Sequence, residues 1–381
     1  MKKRLKIFII AGEVSGDVLG AKIMREMPDA DFVGVGGENM ASAGLKSLFP
    51  ISDIAVMGVA EVLAHARTLT RRMRQTADAI LAARPDIVLT IDAPGFARGV
   101  VSRVRGGAAG RDLIARGMTF QHVVAPQVWA WRPGRAKKYA ATFDRLFSFF
   151  EFERPYFTKY GLDTVAVGHP IADGLTKYRR PAAVKDADRT IALIPGSRLS
   201  EVKKLLPLMR NTVDMLRAAG YTHYHYVMPT VETTADYIRA QTQNWAVHPT
   251  LVPSDARYDL YRRAYMAIAA SGTVSVELAI LHVPTIVVYK MNPITMWLAR
   301  RVIRIKWVSL VNILMNRCVY PELLGADANA ANVVDWVGRL ALPAVRRAMM
   351  ADLTAADALW RGDAPAAARI ADALRQKILP R

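Results

Sequence analysis

One cysteine, Cys318, occurs in 381 residues. That excludes an internal disulfide framework and any metal site built from several thiolates, and it fits a reducing compartment. No apolar run reaches the ~18–20 residues needed to cross a bilayer. The basic opening Met1-Lys2-Lys3-Arg4 leads into a short apolar run ending at Gly12-Glu13, so no secretory leader is expected. Acidic residues are scarce: 33 Asp and Glu stand against 52 Lys and Arg, a formal net charge of +19. Such a field favours nucleic acid, an anionic membrane face or phosphorylated substrates. The arginines are scattered over many helices and no basic-aromatic module recurs, so nucleic acid is not an expected partner, and a general solubilising or lineage-wide arginine bias is the plain alternative for the excess.

What is present is apolar and periodic. The chain is 52% hydrophobic and 22% charged, globular in composition and long enough for two domains. Continuous apolar strands read at Lys6–Ala11, Asp31–Val35, Asp86–Asp92, Met118–Ala125, Arg145–Phe149 and Thr164–Val167. A second set reads at Thr190–Ile194, His223–Met228, His248–Val252, Met266–Ala270 and Thr285–Tyr289. Helical stretches lie between several of them, notably Met57–Ala83 with Arg67, Arg71, Arg72 and Arg74. This alternation predicts an α/β chain with two doubly wound parallel-sheet units. Polar Tyr178–Asp188 reads as the linker. From Ala328 the tail is alanine-rich and helical, broken at Pro343 and at Gly362-Asp363-Ala364-Pro365. The expected division is residues 1–175, 176–345 and a helical tail 346–381 packing back on an N-terminal domain.

Three strand–turn–helix junctions carry the chemistry, and they are expected to face a shared cleft. In the first, Gly12 and Gly16 permit close approach of a ligand beside Glu13 and Ser15; the plainer role for Ser15 is a helix cap, with Glu13 and Asp17 as helix-dipole partners. The spacing is neither a Walker loop nor a dinucleotide fingerprint. In the second, Gly196 and Ser197 offer backbone N–H groups and Arg198 a guanidinium suited to a diphosphate, although Arg198 could equally be a solvated surface residue. In the third, Ser271-Gly272-Thr273 precede Glu277. With Thr273 as the cap, Glu277 comes one residue too late for a capping box, and it is placed to accept ribose hydroxyls; a surface glutamate is the plain alternative. A fourth junction, Ile91-Asp92-Ala93-Pro94, sets Asp92 at the carboxyl end of a strand as a candidate general base, or as an Asx-turn cap.

No metal is expected. The pairs Asp29/Asp31 and Asp186/Asp188 precede strands, away from the predicted cleft, and His223/His225 have no acid nearby in sequence.

Read in order, Ala11–Asp17, Met57-Gly58-Val59-Ala60-Glu61, Ile91–Pro94, Ala125-Pro126-Gln127-Val128-Trp129-Ala130-Trp131-Arg132, Val167-Gly168-His169-Pro170, Ile194–Arg198, Ser271–Thr273 with Glu277, Ser309-Leu310-Val311-Asn312 and Pro321-Glu322-Leu323 make one series. That series resembles the lipid-A-disaccharide synthase family over nearly the whole chain. Gly95, Ala97, Glu151, Val311 and Gly325 depart from the family's usual residues. The resemblance implies a metal-free, cofactor-free, inverting GT-B glycosyltransferase. Asp92 would be its base and Arg198 would neutralise the leaving diphosphate. Glu277 would hold the ribose, Asn312 would assist uridine or diphosphate, and Glu13, Ser15 and Gly16 would shape the acceptor side. The implied substrates are UDP-diacylglucosamine and diacylglucosamine 1-phosphate, and a homodimer is left open. The implied location is cytoplasmic, on the inner face of a Gram-negative-type inner membrane. Two apolar-basic segments would meet that surface: Val56, Met57 and Val59, and Trp297, Arg300, Arg301, Arg304 and Trp307. A UDP-sugar epimerase is the rival on the same architecture.

Overall fold

The computed structural model describes residues 4–55, 65–179, 189–290, 306–360, 362–376 and 378–380. Among them, twelve strands form two sheets. β1 (Lys6–Ala11), β2 (Asp31–Val35), β3 (Ile87–Ile91), β4 (Thr119–Val123), β5 (Arg145–Ser148) and β6 (Asp163–Ala166) pair in the order β2-β1-β3-β4-β5-β6. β7 (Thr190–Ile194), β8 (His225–Thr230), β9 (Thr250–Pro253), β10 (Met266–Ala270), β11 (Thr285–Tyr289) and β12 (Glu322–Leu324) pair in the order β12-β11-β10-β7-β8-β9. Every pairing is parallel. Helices cover both faces of such sheets, so central strands are buried at every position. Accordingly β3, β4, β7 and β10 are buried throughout. Contacts divide the chain into two units. One holds the residues through Pro170 together with those after Trp360, the other Ile171–Trp360.

The helices used below are α1 (Val14–Glu26), α2 (Glu38–Ser42), α3 (Ala66–Ala83), α4 (Pro94–Gly106), α5 (Leu199–Ala218), α6 (Arg257–Tyr261), α7 (Thr273–Ile280), α8 (Leu310–Met315), α9 (Ala330–Ala341), α10 (Pro343–Ala355), α11 (Asp357–Trp360) and α12 (Ala366–Arg375). The tail breaks where the sequence places prolines: α10 opens on Pro343, whose missing N–H costs nothing in a first turn. In the first unit one sheet face packs Phe8, Ile10, Val88 and Phe120 against Val100, Val101 and Val104 of α4. The opposite face packs Ile7, Ile9, Leu89 and Phe147 against Leu19 and Ile23 of α1 and Ile370 and Leu374 of α12. Burying Ile370 and Leu374 is worth about 1.5–3 kcal/mol each. Arg145 ties the same helix down, donating to the Ala373 carbonyl at 2.6 Å.

Strand order decides where a ligand can enter. In the first sheet the winding reverses between β1 and β3, and in the second between β7 and β10. Outside the carboxyl ends at such a reversal the flanking loops diverge and leave a crevice.

Candidate active site

At the first reversal, β1 and β3 run in register to Ala11 opposite Ile91. Gly12 then donates its N–H to the Ile91 carbonyl at 3.2 Å. A Cβ on Gly12 would lie 2.0 Å from that of Ala93, so only glycine lets the two loops touch. The β3 loop is strained. Asp92 (φ 58°) and Ala93 (φ 44°) are both left-handed, as is Val124 (φ 85°) at the end of β4, a conformation rare for a β-branched residue. The Asp92 N–H donates to the Val123 carbonyl at 3.2 Å, and Asp92 Oδ1 accepts the Ala93 N–H at 2.9 Å. Backbone geometry thus fixes the Asp92 carboxylate just ahead of the α4 N-terminus. The bond to Ala93 reaches only the next N–H, so it is not the Asx-turn cap allowed for in the sequence, and it occupies one oxygen once.

Burial pushes the Asp92 carboxyl above the usual aspartate range, opposed by the Ala93 N–H. Glu13 is also pushed up, first by burial and then by the charge of Asp92. Two carboxyls therefore share this crevice, and the second resists ionising once Asp92 carries charge. Glu13 stands at the cap position of α1 without capping it. Ser15 is exposed on the first turn, and Gly16 packs its backbone on Ile91. Asp17 departs from the dipole role. It is buried and accepts the N–H groups of Gly37, Asn39 and Met40 at 2.7, 2.9 and 3.1 Å, so it caps α2 rather than its own helix.

In the second unit, Gly196, Ser197, Arg198, Ser271, Gly272, Thr273 and Glu277 line one cavity of about 450 Å³. Gly196 has φ 105°, and a Cβ there would meet Glu201 Oε2 at 2.6 Å. Arg198 caps α5 by its backbone and sends Nη1 to Glu201 Oε1 at 2.9 Å, so the guanidinium stays beside the turn. The α7 cap is Gly272, not Thr273. The Ser275 hydroxyl donates back to the Gly272 carbonyl at 2.7 Å, and Glu277 sits a further turn inside the helix. Glu277 is buried, and its carboxyl is pushed up by that burial and pulled back by Arg257 and Tyr258. Arg257 Nε lies 3.4 Å from Oε2, and the Tyr258 hydroxyl donates to Oε1 at 3.1 Å. The sequence reading missed both partners. They stand about twenty positions upstream on α6, with no local signal pointing to Glu277.

Asn312, expected to assist uridine or diphosphate, is fully buried on α8, and its amide closes an internal clasp. Nδ2 donates to the Tyr320 carbonyl at 2.7 Å and to Glu322 Oε1 at 2.8 Å, while Oδ1 accepts the Val319 and Tyr320 N–H groups, each at 2.8 Å. Glu322 also accepts the Val308 and Ser309 N–H groups at 2.8 Å, capping α8. The segments around Asn312 and Glu322 are therefore one structural unit. Asn312→Ala should cost about 3 kcal/mol or more, because it orphans two buried N–H groups and a carbonyl; urea unfolding measures it.

A second buried acid escaped the sequence reading. Glu153 Oε1 accepts the Trp129 indole N–H at 3.2 Å, and Oε2 accepts the Phe150 N–H at 3.3 Å. Burial pushes its carboxyl up to about 7 despite these donors. The folded chain thus binds this proton more tightly than the unfolded chain. The resulting stability is present in full below the ordinary glutamate range and is lost as pH rises through about 7. The loss is on the order of 3 kcal/mol. Thermal unfolding between pH 5 and 8 should show this decline, and Glu153→Gln should flatten it.

Of the apolar-basic segments, Val56, Met57, Val59, Trp297, Arg300, Arg301 and Arg304 lie outside the described residues, as do most of the linker and Asp186/Asp188. Trp307 is half-buried, with Lys306 4.8 Å above its ring. On α3, Arg67, Arg71 and Arg74 are exposed, whereas Arg72 pairs with Asp53 at 2.5 Å. Asp29 and Asp31 are engaged by Arg375 and Arg4 at the amino end of β2. Among the described residues no cluster of three metal-ligating side chains occurs, and no helix is long and apolar enough to cross a membrane.

Comparison with known proteins adds independent findings. The family model described as lipid-A-disaccharide synthetase matches residues 7–337. The lipid-A-disaccharide synthase of Rhodospirillum centenum is 41% identical over 100% of this chain and 96% of its own length. That of Gluconobacter oxydans is 37% identical over 88% and 81%. Among solved structures, a putative UDP-N-acetylglucosamine 2-epimerase from Listeria monocytogenes aligns with TM-score 0.62 at 16% identity, covering 98% of this chain and 96% of that one. MurG from Acinetobacter baumannii aligns with TM-score 0.59 at 11% identity, covering 97% and 99%. The structural likenesses establish a GT-B-like fold; the sequence relationship sets the family. The chain belongs to the lipid-A-disaccharide synthase family of glycosyltransferases.

Proposed function

We propose that this glycosyltransferase moves a 2,3-diacylglucosamine from its UDP carrier to the primary hydroxyl of 2,3-diacylglucosamine 1-phosphate, with inversion. Asp92 takes the hydroxyl proton as the acceptor oxygen attacks the anomeric carbon, the bond to the diphosphate breaks, and UDP leaves. Glu13, Ser15 and Gly16 line the acceptor side. Arg198 and the N–H groups at the starts of α5 and α7 neutralise the departing diphosphate, so no metal is needed. Glu277 receives the ribose hydroxyls. The observation that carries this reading is the placement of a backbone-fixed carboxylate at one sheet's winding reversal and a glycine-lined, guanidinium-bearing cavity at the other's.

The test is mass spectrometry of products from the UDP-linked donor with and without acceptor, each with and without EDTA. A disaccharide 1-phosphate that needs the acceptor and ignores EDTA supports the proposal. A sugar isomer formed without acceptor, or strict dependence on added magnesium, rejects it. Both substrates carry acyl chains, so we further propose a peripheral location on the cytoplasmic face of the inner membrane, supported by the net charge of +19 and the exposed arginines of α3. Anionic vesicles should retain the protein at low salt and release it at high salt, and neutral vesicles should not bind it; equal binding to both removes the electrostatic attachment.

A further inference from the structure

We propose that Arg257 is a positioning residue of the nucleotide cleft: with Tyr258 it presents Glu277 as a doubly accepting carboxylate toward a vicinal diol. The inference rests on the ribose role given to Glu277 above. Arg257 and Glu277 both line the cavity of the second unit beside Gly272 and Thr273. The guanidinium is fixed from three sides. Nη1 donates to the Ser254 carbonyl at 2.7 Å, Nη2 donates to the Tyr258 hydroxyl at 2.6 Å, and the group stacks 4.2 Å from the centre of the Tyr258 ring. Against those short bonds, its approach to Glu277 Oε2 at 3.4 Å is long. The guanidinium therefore supplies charge without saturating the carboxylate.

Among the described residues each Glu277 oxygen meets one donor, Arg257 Nε at Oε2 and the Tyr258 hydroxyl at Oε1. An ionised carboxylate has about four lone-pair sites, so each oxygen keeps capacity for one hydroxyl. Two adjacent hydroxyls on a ring match two adjacent oxygens; a lone hydroxyl or a phosphate does not. The charged and titratable groups around Glu277 are Arg257, Tyr258 and the buried Tyr261, all on α6, while Arg198 and Glu201 line the same cavity. Burial alone would favour the protonated acid, which has an O–H in place of one acceptor. Arg257 opposes this. Arg198, by contrast, is largely exposed and bound to Glu201, so the two arginines serve different ends of the ligand.

Calorimetry with UDP and 2′,3′-dideoxy-UDP at pH 7 tests the assignment. The wild-type protein should prefer UDP by roughly tenfold or more, the worth of a charge-assisted hydrogen bond. Arg257→Gln should lose that preference by weakening UDP alone, with dideoxy-UDP bound as before, which also reports that the cleft is folded. Arg257→Lys should keep most of the preference, since it retains a cation. Equal weakening of both nucleotides by Arg257→Gln, or a preference left intact, would overturn the role of Arg257 while leaving Glu277 on the ribose. A wild-type protein that binds UDP without preferring it would instead remove Glu277 from the ribose, and this inference with it.

Discussion

Asp92→Asn is expected to lower disaccharide formation by about 10²–10⁴-fold, the usual worth of a positioned general base, with UDP affinity and thermal stability near wild type. The substitution isolates chemistry from structure for a geometric reason. Asp92 has φ 58°, which asparagine tolerates better than most residues with a side chain, and an amide oxygen can still accept the Ala93 N–H. Asp92→Ala would add backbone strain and is the less informative change. The pH profile supplies a second readout. The base works deprotonated, so kcat/KM should fall as pH drops through the Asp92 carboxyl, and burial sets that limb above the ordinary aspartate range. The residual activity of Asp92→Asn should lack the limb. A folded variant with near-normal turnover would take Asp92 out of the reaction.

Arg198→Ala should reduce kcat by about 10²–10³-fold, the typical loss of one preorganised donor to a developing negative charge. Among the described residues its ionic partner is Glu201, three residues on, and the Arg198 side chain is 65% exposed. Exposed pairs of this kind contribute roughly 0–1 kcal/mol, so a large kinetic loss with unchanged unfolding would place the effect on the leaving group. Arg198→Lys should recover part of the rate, because lysine keeps the charge but not the planar fork suited to a diphosphate. Loss of thermal stability in parallel with rate would mean the Gly196 turn had collapsed and would reject the catalytic role.

How far the sequence carried these conclusions depended on how local each cause was. β1, β2, β7, β10 and β11 have the predicted ends, because apolar runs bounded by polar or glycine residues fix strand termini within the segment itself. β12 was not foreseen: three residues give no periodicity, and Glu322–Leu324 becomes a strand only by pairing with β11. The loops of the second unit were legible because glycine, serine and arginine beside a strand end carry their own chemistry. The internal clasp of Asn312 was not legible, for the opposite reason. A polar residue in a recognisable segment reads as a ligand contact, yet its partners at 319, 320 and 322 turn it inward. Glu153 and Arg257 were invisible because their meaning lies in Trp129 and Glu277, each about twenty residues away.

The placement of α12 has a consequence for how the chain matures. One face of the first sheet is closed partly by Ile370 and Leu374, which leave the ribosome roughly 200 residues after the last strand they help to shelter. At ordinary translation speeds that gap lasts about 10–40 s. During that interval the nascent first unit carries a greasy, uncovered flank while the second unit is still being made. A chaperone that shields such flanks has its window there, and truncation before residue 366 should convert a brief exposure into a permanent one.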